Sequence, residues 1–327
     1  MSYQVTQESF DSLTALWKSP QSKLRWSSVF VLPPWLKTWW QSFQPAADLL
    51  LLSVREGKDI LGIAPLMREK NQASFVGDTD VCDYMDFIIT PGRETEFCTV
   101  ILDELNQRGI TNLTLEHLRP DASVMGTLVP LSRQRQYQVQ CQEDDVSLEV
   151  NLPDSWDNYL DLLDKKQRHE VRRKLRRLWE AGDVSYRCEE KDSGDIDPGM
   201  DTFLQLFARS EEEKAGFMTP TREVFFREMA RVMAEQKMLR LGTLEIDDKV
   251  TAMILGFAYD QTFYLYNSAY NPDYRHLSVG IFSKALCIKE NIKRGMKKWD
   301  FLKGAEVYKY HLGGTPIPLY RCEIQTK

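Results

Sequence analysis

Cysteine is sparse and unpatterned in this chain of 327 residues. There are six, Cys82, Cys98, Cys141, Cys188, Cys287 and Cys322, and no two of them form a C-x-x-C pair. Histidine is scarcer still, at four, with no cluster. These shortages argue against a zinc site and against a disulfide framework, and they point to buried free thiols in a reducing cytoplasm. Long apolar runs are missing too: the longest, LLLLSV at 49–54, suits a buried strand rather than a membrane span. The opening MSYQVTQESF has no basic segment followed by an apolar one, so no secretion signal is expected. Positive charge is not in excess either, and a formal charge of −6 argues against general nucleic-acid binding by the whole molecule.

What is present is enough apolar material, 43% of residues, for two ordinary cores. The pattern along the chain repeats once. Residues 49–67, LLLLSVREGKDILGIAPLM, read as an apolar run, a polar turn at Glu56–Asp59 and a second apolar run. Residues 239–257, LRLGTLEIDDKVTAMILGF, do the same around Asp247–Lys249. Both are hairpin signatures. Each is followed by a short strand (73–77 and 263–269), a helix (near 94–108 and 280–295) and another strand (113–118 and 298–302). The spacing is too long for a solenoid, so two related α/β domains are expected, 1–150 and 151–327. A helical segment over 155–236 lies between the repeats, with Asp154 or Ser155 capping a helix from Trp156, a second helix over 167–181 ended by Gly182, and further helices near 198–214 and 220–236.

The most informative stretch is YNPDYRHLSVGIFSKALCIKENIKRG, residues 270–295. It predicts a strand end, a tight loop and a helix, with Arg275, Ser278 and Gly280 spaced R-x-x-S-x-G. A small-residue loop opening a helix turns unpaired N–H groups outward beside the positive end of the helix dipole. Each charge-assisted hydrogen bond there contributes about 1.5–3 kcal/mol, so a pyrophosphate can be held without a cationic side chain. The alternative is a glycine that only lets the chain turn into a core helix. The matching place in the first half, TPGRETEF at 90–97, lacks the spacing, so one phosphate site is expected and it belongs to the second half. The first half is then a platform for the other substrate.

Residues 165–177 carry eight basic side chains, Lys165, Lys166, Arg168, Arg172, Arg173, Lys174, Arg176 and Arg177, against the single acid Glu170. Val171, Leu175, Leu178 and Trp179 form the opposite, apolar face. A solvated face is the ordinary reading. An anionic partner is the other: a coenzyme phosphate, a nucleotide-linked sugar, tRNA or an anionic lipid surface.

The loop at 275–280 resembles the R/Q-x-x-G-x-G/A loop with which GCN5-related N-acetyltransferases (GNATs) grip the pyrophosphate of acyl-coenzyme A, with Ser278 in place of the first glycine. Other motifs resemble the CelD-like acyltransferases, relatives of the FemAB/FemX aminoacyl transferases within the GNAT superfamily. FVLPPWLKTWW (30–40) is similar to their tryptophan-rich first helix, GIAPLM (62–67) to a return strand and DYMDF (83–87) to an acidic-aromatic turn. KKQRHEVRRKLRRL (165–178) is similar to the basic helix, SEEEKAGFM (210–218) to an S-x-x-x-K pattern and FLKGAEVYKYHLGG (301–314) to the closing G-x-x-x-Y-K segment. The resemblance implies an α/β fold of two tandem GNAT-like domains, each a mixed, mostly antiparallel sheet flanked by helices. It also implies acyl transfer to an amine, with acetyl-CoA or another acyl-CoA as donor.

Thioester aminolysis needs an acceptor for the amine's proton and donors facing the developing oxyanion. Expected site residues follow. Arg275, Ser278, Val279 and Gly280 hold the coenzyme, and the resemblance adds a backbone donor near Asn267 on a splayed strand. Asp83 is the first choice of base, with Asp86, Asp300 and Glu306 behind it. Tyr84, Asp86, Ser210 and Lys214 are expected to contact the acceptor. Lys309, through the FemX-like segment, is expected to stabilise charge on the carbonyl, and Tyr308 or Tyr270 to protonate the leaving thiolate. Bland readings stand beside each: core packing for Trp35, Trp39 and Trp40, turn formation for Asp83 and Asp86, a helix surface for Ser210 and Lys214. The expected acceptor is a small-molecule amine or nucleotide sugar, in the context of cell-surface polysaccharide synthesis. A FemX-like transferase using aminoacyl-tRNA and a non-catalytic scaffold are the alternatives.

Overall fold

The computed structural model describes residues 3–190, 194, 196–210 and 216–326. In chain order the elements are β1 (Tyr3–Gln7), α1 (Phe10–Lys18), α2 (Pro33–Phe43), β2 (Asp48–Glu56), β3 (Asp59–Glu69), β4 (Gln72–Phe75), β5 (Ile88–Ile89), α3 (Glu94–Gln107) and β6 (Asn112–Leu118). A π-helical turn (Val124–Leu128) leads into α4 (Val129–Gln134) and then β7 (Gln138–Asn151). There follow α5 (Trp156–Leu162), α6 (Lys165–Trp179), β8 (Val184–Glu190), α7 (Asp197–Ser210), α8 (Pro220–Glu235), β9 (Leu239–Ile246), β10 (Lys249–Tyr259) and β11 (Thr262–Tyr270). A 3-10 turn (Pro272–Leu277), α9 (Val279–Lys293), β12 (Lys298–Lys303), α10 (Val307–His311) and β13 (Thr315–Gln325) complete the chain.

The chain forms two compact units, Met1–Val146 with Ile317–Lys327, and Ser147–Pro316. The expected boundary at 150 therefore moves into β7, and the C-terminal strand returns to the first unit. The reason is that a GNAT-like sheet needs a strand beyond the parallel pair, and here that strand comes from a distant part of the chain. The first unit's sheet runs β1-β2-β3-β4-β6-β13 and ends on the first part of β7. The second unit's sheet runs β8-β9-β10-β11-β12 and ends on residues 147–151 of β7.

The two sheets repeat one plan. Antiparallel hairpins, β2–β3 and β9–β10, lead to a short parallel ladder reached through a crossover helix. In the first unit that ladder is Gln72↔Asn112 to Ser74↔Thr114; in the second it is Thr262↔Lys298 to Tyr264↔Asp300. Beyond each, the outer strand carries a bulge and a left-handed residue, His117 (φ 53°) in β6 and Leu302 (φ 61°) in β12. This is the tandem GNAT-like architecture expected, with two departures. Residues 155–236 are not all helical, since β8 pairs along β9 from Val184↔Ile246 to Glu190↔Arg240. The tryptophan-rich segment forms the second helix, α2, not the first, with Trp35 and Trp39 buried in the core.

The thiols need a second correction. Cys141 and Cys322 are joined in a disulfide between β7 and β13, across a sequence separation of 181. Nothing in the spacing announces that these strands are neighbours. Cys82, Cys98, Cys188 and Cys287 are free and buried.

Two glycines mark where the sheets admit no side chain. A Cβ on Gly256 in β10 would lie 2.3 Å from the Phe263 ring and 2.8 Å from the Tyr264 carbonyl oxygen. One on Gly62, at the matching place in β3, would lie 2.6 Å from Phe97 and 2.9 Å from the Ile88 carbonyl oxygen. Overpacking of this kind costs about 1–3 kcal/mol. Gly256→Ala and Gly62→Ala are each expected to lower the unfolding free energy by that amount, seen as a reduced urea midpoint by circular dichroism.

Candidate active site

The site is built from the crossover of the second unit. β11 and β12 pair over only three residues each and then part, because β12 turns away at its bulge to follow β7. Asp300, 2% exposed, stabilises that bulge: its Oδ1 accepts the Leu302 N–H at 2.8 Å. β11 runs on to Tyr270, enters the 3-10 turn and passes through Ser278 into α9. The expected open loop is thus a wound turn with Arg275 exposed on it.

Ser278 has φ 57° and ψ 36°, the left-handed conformation that glycine adopts most easily. The serine therefore occupies the geometry its glycine counterpart would supply. Its side chain makes no capping bond, and the first turn of α9 contains no acid. The next N–H groups to find partners are those of Ile281 and Phe282, which both donate to the Ser278 carbonyl at 3.0 and 3.1 Å. Among the described residues the N–H groups of Val279 and Gly280 have no partner. Two unspent donors at the positive end of a fifteen-residue helix suit an anion. The residues present thus fit a coenzyme diphosphate. Gly280 contributes by close approach, since a Cβ there would lie 3.0 Å from the Tyr270 ring. That Cβ would point at Tyr270 rather than out of the turn.

The equivalent helix of the first unit is closed to the same use. α3 has Glu94 and Glu96 in its first turn, the Gly92 N–H donates to Glu94 Oε1 at 3.1 Å, and Arg93 pairs with Glu96 at 2.8 Å and Glu56 at 2.8 Å. The carboxylates in its first turn oppose a second anion at this helix start.

Facing the turn of the second unit is a residue that sequence reasoning missed. Lys284 is 5% exposed on α9; its Nζ donates to the Gly280 carbonyl at 2.6 Å and lies 4.7 Å over the Tyr308 ring. A lysine embedded in the apolar run IFSKALCI, four residues from Gly280, was the available signal. Through it Tyr308, half-buried and edge-on to Phe301, is held beside the start of α9.

The other expected residues have different tasks. Lys309 is 2% exposed, and its ammonium serves the carbonyls of Leu302, Lys303 and Gly304 at 3.1, 2.5 and 3.0 Å and Glu306 at 2.9 Å. Three protons against four acceptors leave none for a substrate carbonyl, so the expected charge-stabilising role gives way to holding this loop. Ser210 is spent as well: it accepts the Tyr270 N–H at 2.8 Å and lies 3.0 Å from the Tyr270 carbonyl and 2.7 Å from that of Leu206. It ties α7 to the end of β11 instead of reaching an acceptor. Lys214 lies outside the described residues. Asn267 pairs with Leu255, and because Asn271 N–H donates to Thr251 in the same register, the Asn267 N–H is turned towards β10. Asn267 borders the bulge at which the register passes from Leu255↔Asn267 to Phe257↔Tyr264.

Asp83, Tyr84 and Asp86 belong to the first unit. Tyr84 is buried, edge-on to Phe30 with the Arg119 guanidinium 5.1 Å from its ring centre. Asp83 is half-buried on the same turn. Asp86 caps the π-helical turn, accepting from Ser123 Oγ at 2.6 Å, Ser123 N–H at 2.8 Å and Val124 N–H at 3.3 Å. That is a structural role in place of acceptor binding.

The model of the acetyltransferase (GNAT) domain matches residues 165–310. Those residues lie within the second unit, which therefore carries a GNAT-type acetyltransferase domain and makes the protein an acyltransferase. Among solved structures, FemX matches with a TM-score of 0.66 at 12% identity, over 97% of this chain and 96% of that one. A conserved protein of unknown function from Bacteroides thetaiotaomicron matches with a TM-score of 0.59 at 13% identity, over 99% and 100%. A tandem GNAT protein from the clavulanic acid biosynthesis pathway matches with a TM-score of 0.51 at 9% identity, over 99% and 98%. No curated protein sequence matches the chain.

Two measurements check these assignments. Burial raises the Asp86 carboxyl to about 6, against the bonds from Ser123 and the neighbouring N–H groups that favour its charge. A raised carboxyl contributes stability fully below the unfolded pKa, about 3.9, and loses it as pH rises through the folded value. Wild-type stability relative to Asp86→Asn should therefore fall by about 2–3 kcal/mol between pH 4 and 6.5 and stay level above, as read from urea denaturation at each pH. Lys309→Ala should destabilise the fold by about 2–4 kcal/mol, since it strands three carbonyls. Lost turnover with an unchanged melting temperature would return Lys309 to the chemistry.

Proposed function

We propose that the protein transfers an acyl group, acetyl in the simplest case, from an acyl-CoA to the amine of a small molecule or amino sugar. The carrying observation is the start of α9, where Val279 and Gly280 present unspent N–H groups behind a left-handed Ser278. Arg275, exposed on the preceding turn and without a carboxylate partner among the described residues, adds a cation within reach of the same phosphates. The coenzyme, when bound, supplies an activated thioester.

The chain's own contribution is then orientation and proton management. The turn fixes the diphosphate by backbone donors, so the gap between β11 and β12 is left for the pantetheine and acyl portions. Tyr308 is our choice for the proton returned to the leaving thiolate. Its ring is steadied by the Lys284 ammonium, a contact worth about 0.5–1 kcal/mol or more when desolvated. The amine arrives mostly protonated, with a pKa near ~10.4, and must lose that proton before attack. Two acids in the first turn of α3 disfavour a phosphate there, which supports giving the first unit to the acceptor rather than the donor.

Thermal unfolding with and without coenzyme A tests this. At a hundredfold excess over Kd, binding adds about 2.7 kcal/mol of stability, a clear rise in Tm. Gly280→Asp should abolish the rise by placing a carboxylate at the helix start, whereas Gly280→Ala, which brings the same Cβ against Tyr270, should keep most of it. A wild-type protein indifferent to coenzyme A would point to the runner-up, transfer from an aminoacyl-tRNA.

A further inference from the structure

Five large apolar side chains are exposed among the described residues: Leu162, Trp179, Val224, Val307 and Tyr310. Four of the five fall on α5, α6 and α10. These elements are tied into one corner. Tyr159 of α5 donates its hydroxyl to the Leu312 carbonyl just past α10 at 2.7 Å, and a Cβ on Gly313 would meet Leu163 at 3.1 Å. Arg168 of α6 pairs with Asp161 at 2.8 Å and donates to the carbonyls of Asp161 and Leu163 at 3.3 and 3.2 Å.

The same corner carries the chain's concentrated positive charge. On α6, Arg173 and Lys174 share the single carboxylate of Glu170 at 2.9 and 3.0 Å, and Arg176 meets Glu180 only at 4.0 Å. Lys165, Lys166, Arg172 and Arg177 are exposed and have no carboxylate partner among the described residues. Lys165, Arg172, Arg176 and Trp179 are spaced i, i+7, i+11 and i+14, so they form one stripe roughly 20 Å long that ends in an exposed indole. The inner face of α6 is occupied, with Val171 and Leu178 buried, so the helix lies on the protein and offers only its charged side.

We propose that this corner docks the protein onto the surface of an anionic phospholipid bilayer, with the α6 stripe on the headgroups and Leu162, Val307 and Tyr310 entering the interface. The pairing of charge with aliphatic and aromatic side chains selects this partner. A polynucleotide rewards the cations, but it has no use for exposed Leu162 and Val307, whereas a bilayer interface takes up both, and Trp and Tyr are favoured there. The formal charge of −6 for the chain repels an anionic surface everywhere else, which fixes the orientation of approach. No helix among the described residues is long and apolar enough to cross a membrane, so the contact is peripheral.

Co-sedimentation with vesicles tests it, comparing phosphatidylcholine alone with phosphatidylcholine containing phosphatidylglycerol. Wild type is expected to bind the anionic vesicles and not the neutral ones. Lys165→Gln/Arg172→Gln/Arg176→Gln should weaken partitioning on the order of 100-fold, and Leu162→Ser/Tyr310→Ser about tenfold, both without change in Tm because the side chains are exposed. Failure of wild type to bind anionic vesicles overturns the proposal. So does wild-type binding by the Leu162→Ser/Tyr310→Ser variant together with displacement by bulk tRNA, which would make the stripe a polynucleotide surface.

Discussion

The second unit of this protein depends on keeping two parallel strands apart. A parallel ladder tends to propagate, and β11 and β12 would zip past Tyr264 and Asp300 if their backbones stayed in register. Two buried charged groups prevent it. Asp300 bonds the N–H of Leu302 and so stabilises a left-handed residue that non-glycine chains avoid. Lys309 then gathers the carbonyls of Leu302, Lys303 and Gly304, which can no longer serve as ladder acceptors. Burying a lysine and an aspartate is costly unless each is satisfied, and both have bonded partners here. The opening is thus maintained by polar groups within one short segment, 300–309.

The duplicated plan shows how the same topology can be used or silenced. Both crossover helices begin beside a parted parallel pair. α9 starts on a serine without a capping bond and with no acid in its first turn. α3 starts on Arg93 with Glu94 and Glu96 in its first turn, which offset its dipole. The difference lies in two or three side chains and not in the fold.

Much of this was legible in the chain. The paired hairpins, the crossover helices and the strands after them stand out because their apolar periods are strong and their turns polar. β7, β8 and β13 did not. β7 includes QEDD at 142–145, and only three residues of β13 are buried, so neither reads as an apolar run. Their neighbours are distant in sequence, which also hid the Cys141–Cys322 bond. At the site, the turn at Ser278–Gly280 was readable because phosphate recognition rests on local backbone geometry. The roles of Lys309, Ser210 and Asp86 were not, since whether a polar side chain faces a substrate or a neighbouring carbonyl is decided by tertiary contacts. Lys284 shows the converse: one cation in an apolar helix, legible in principle, took meaning only from its contact with Tyr308.

The strand β13 has a consequence for how the molecule is made. The first unit contains the first 146 residues yet lacks a strand of its sheet until Ile317 and its followers arrive. On the ribosome that sheet must wait, with β6 offering a bare edge, while the whole second unit is translated. Synthesis through residues 317–325 is therefore a condition for the N-terminal unit to close, and a chain stopped before them would leave its oldest part unfinished.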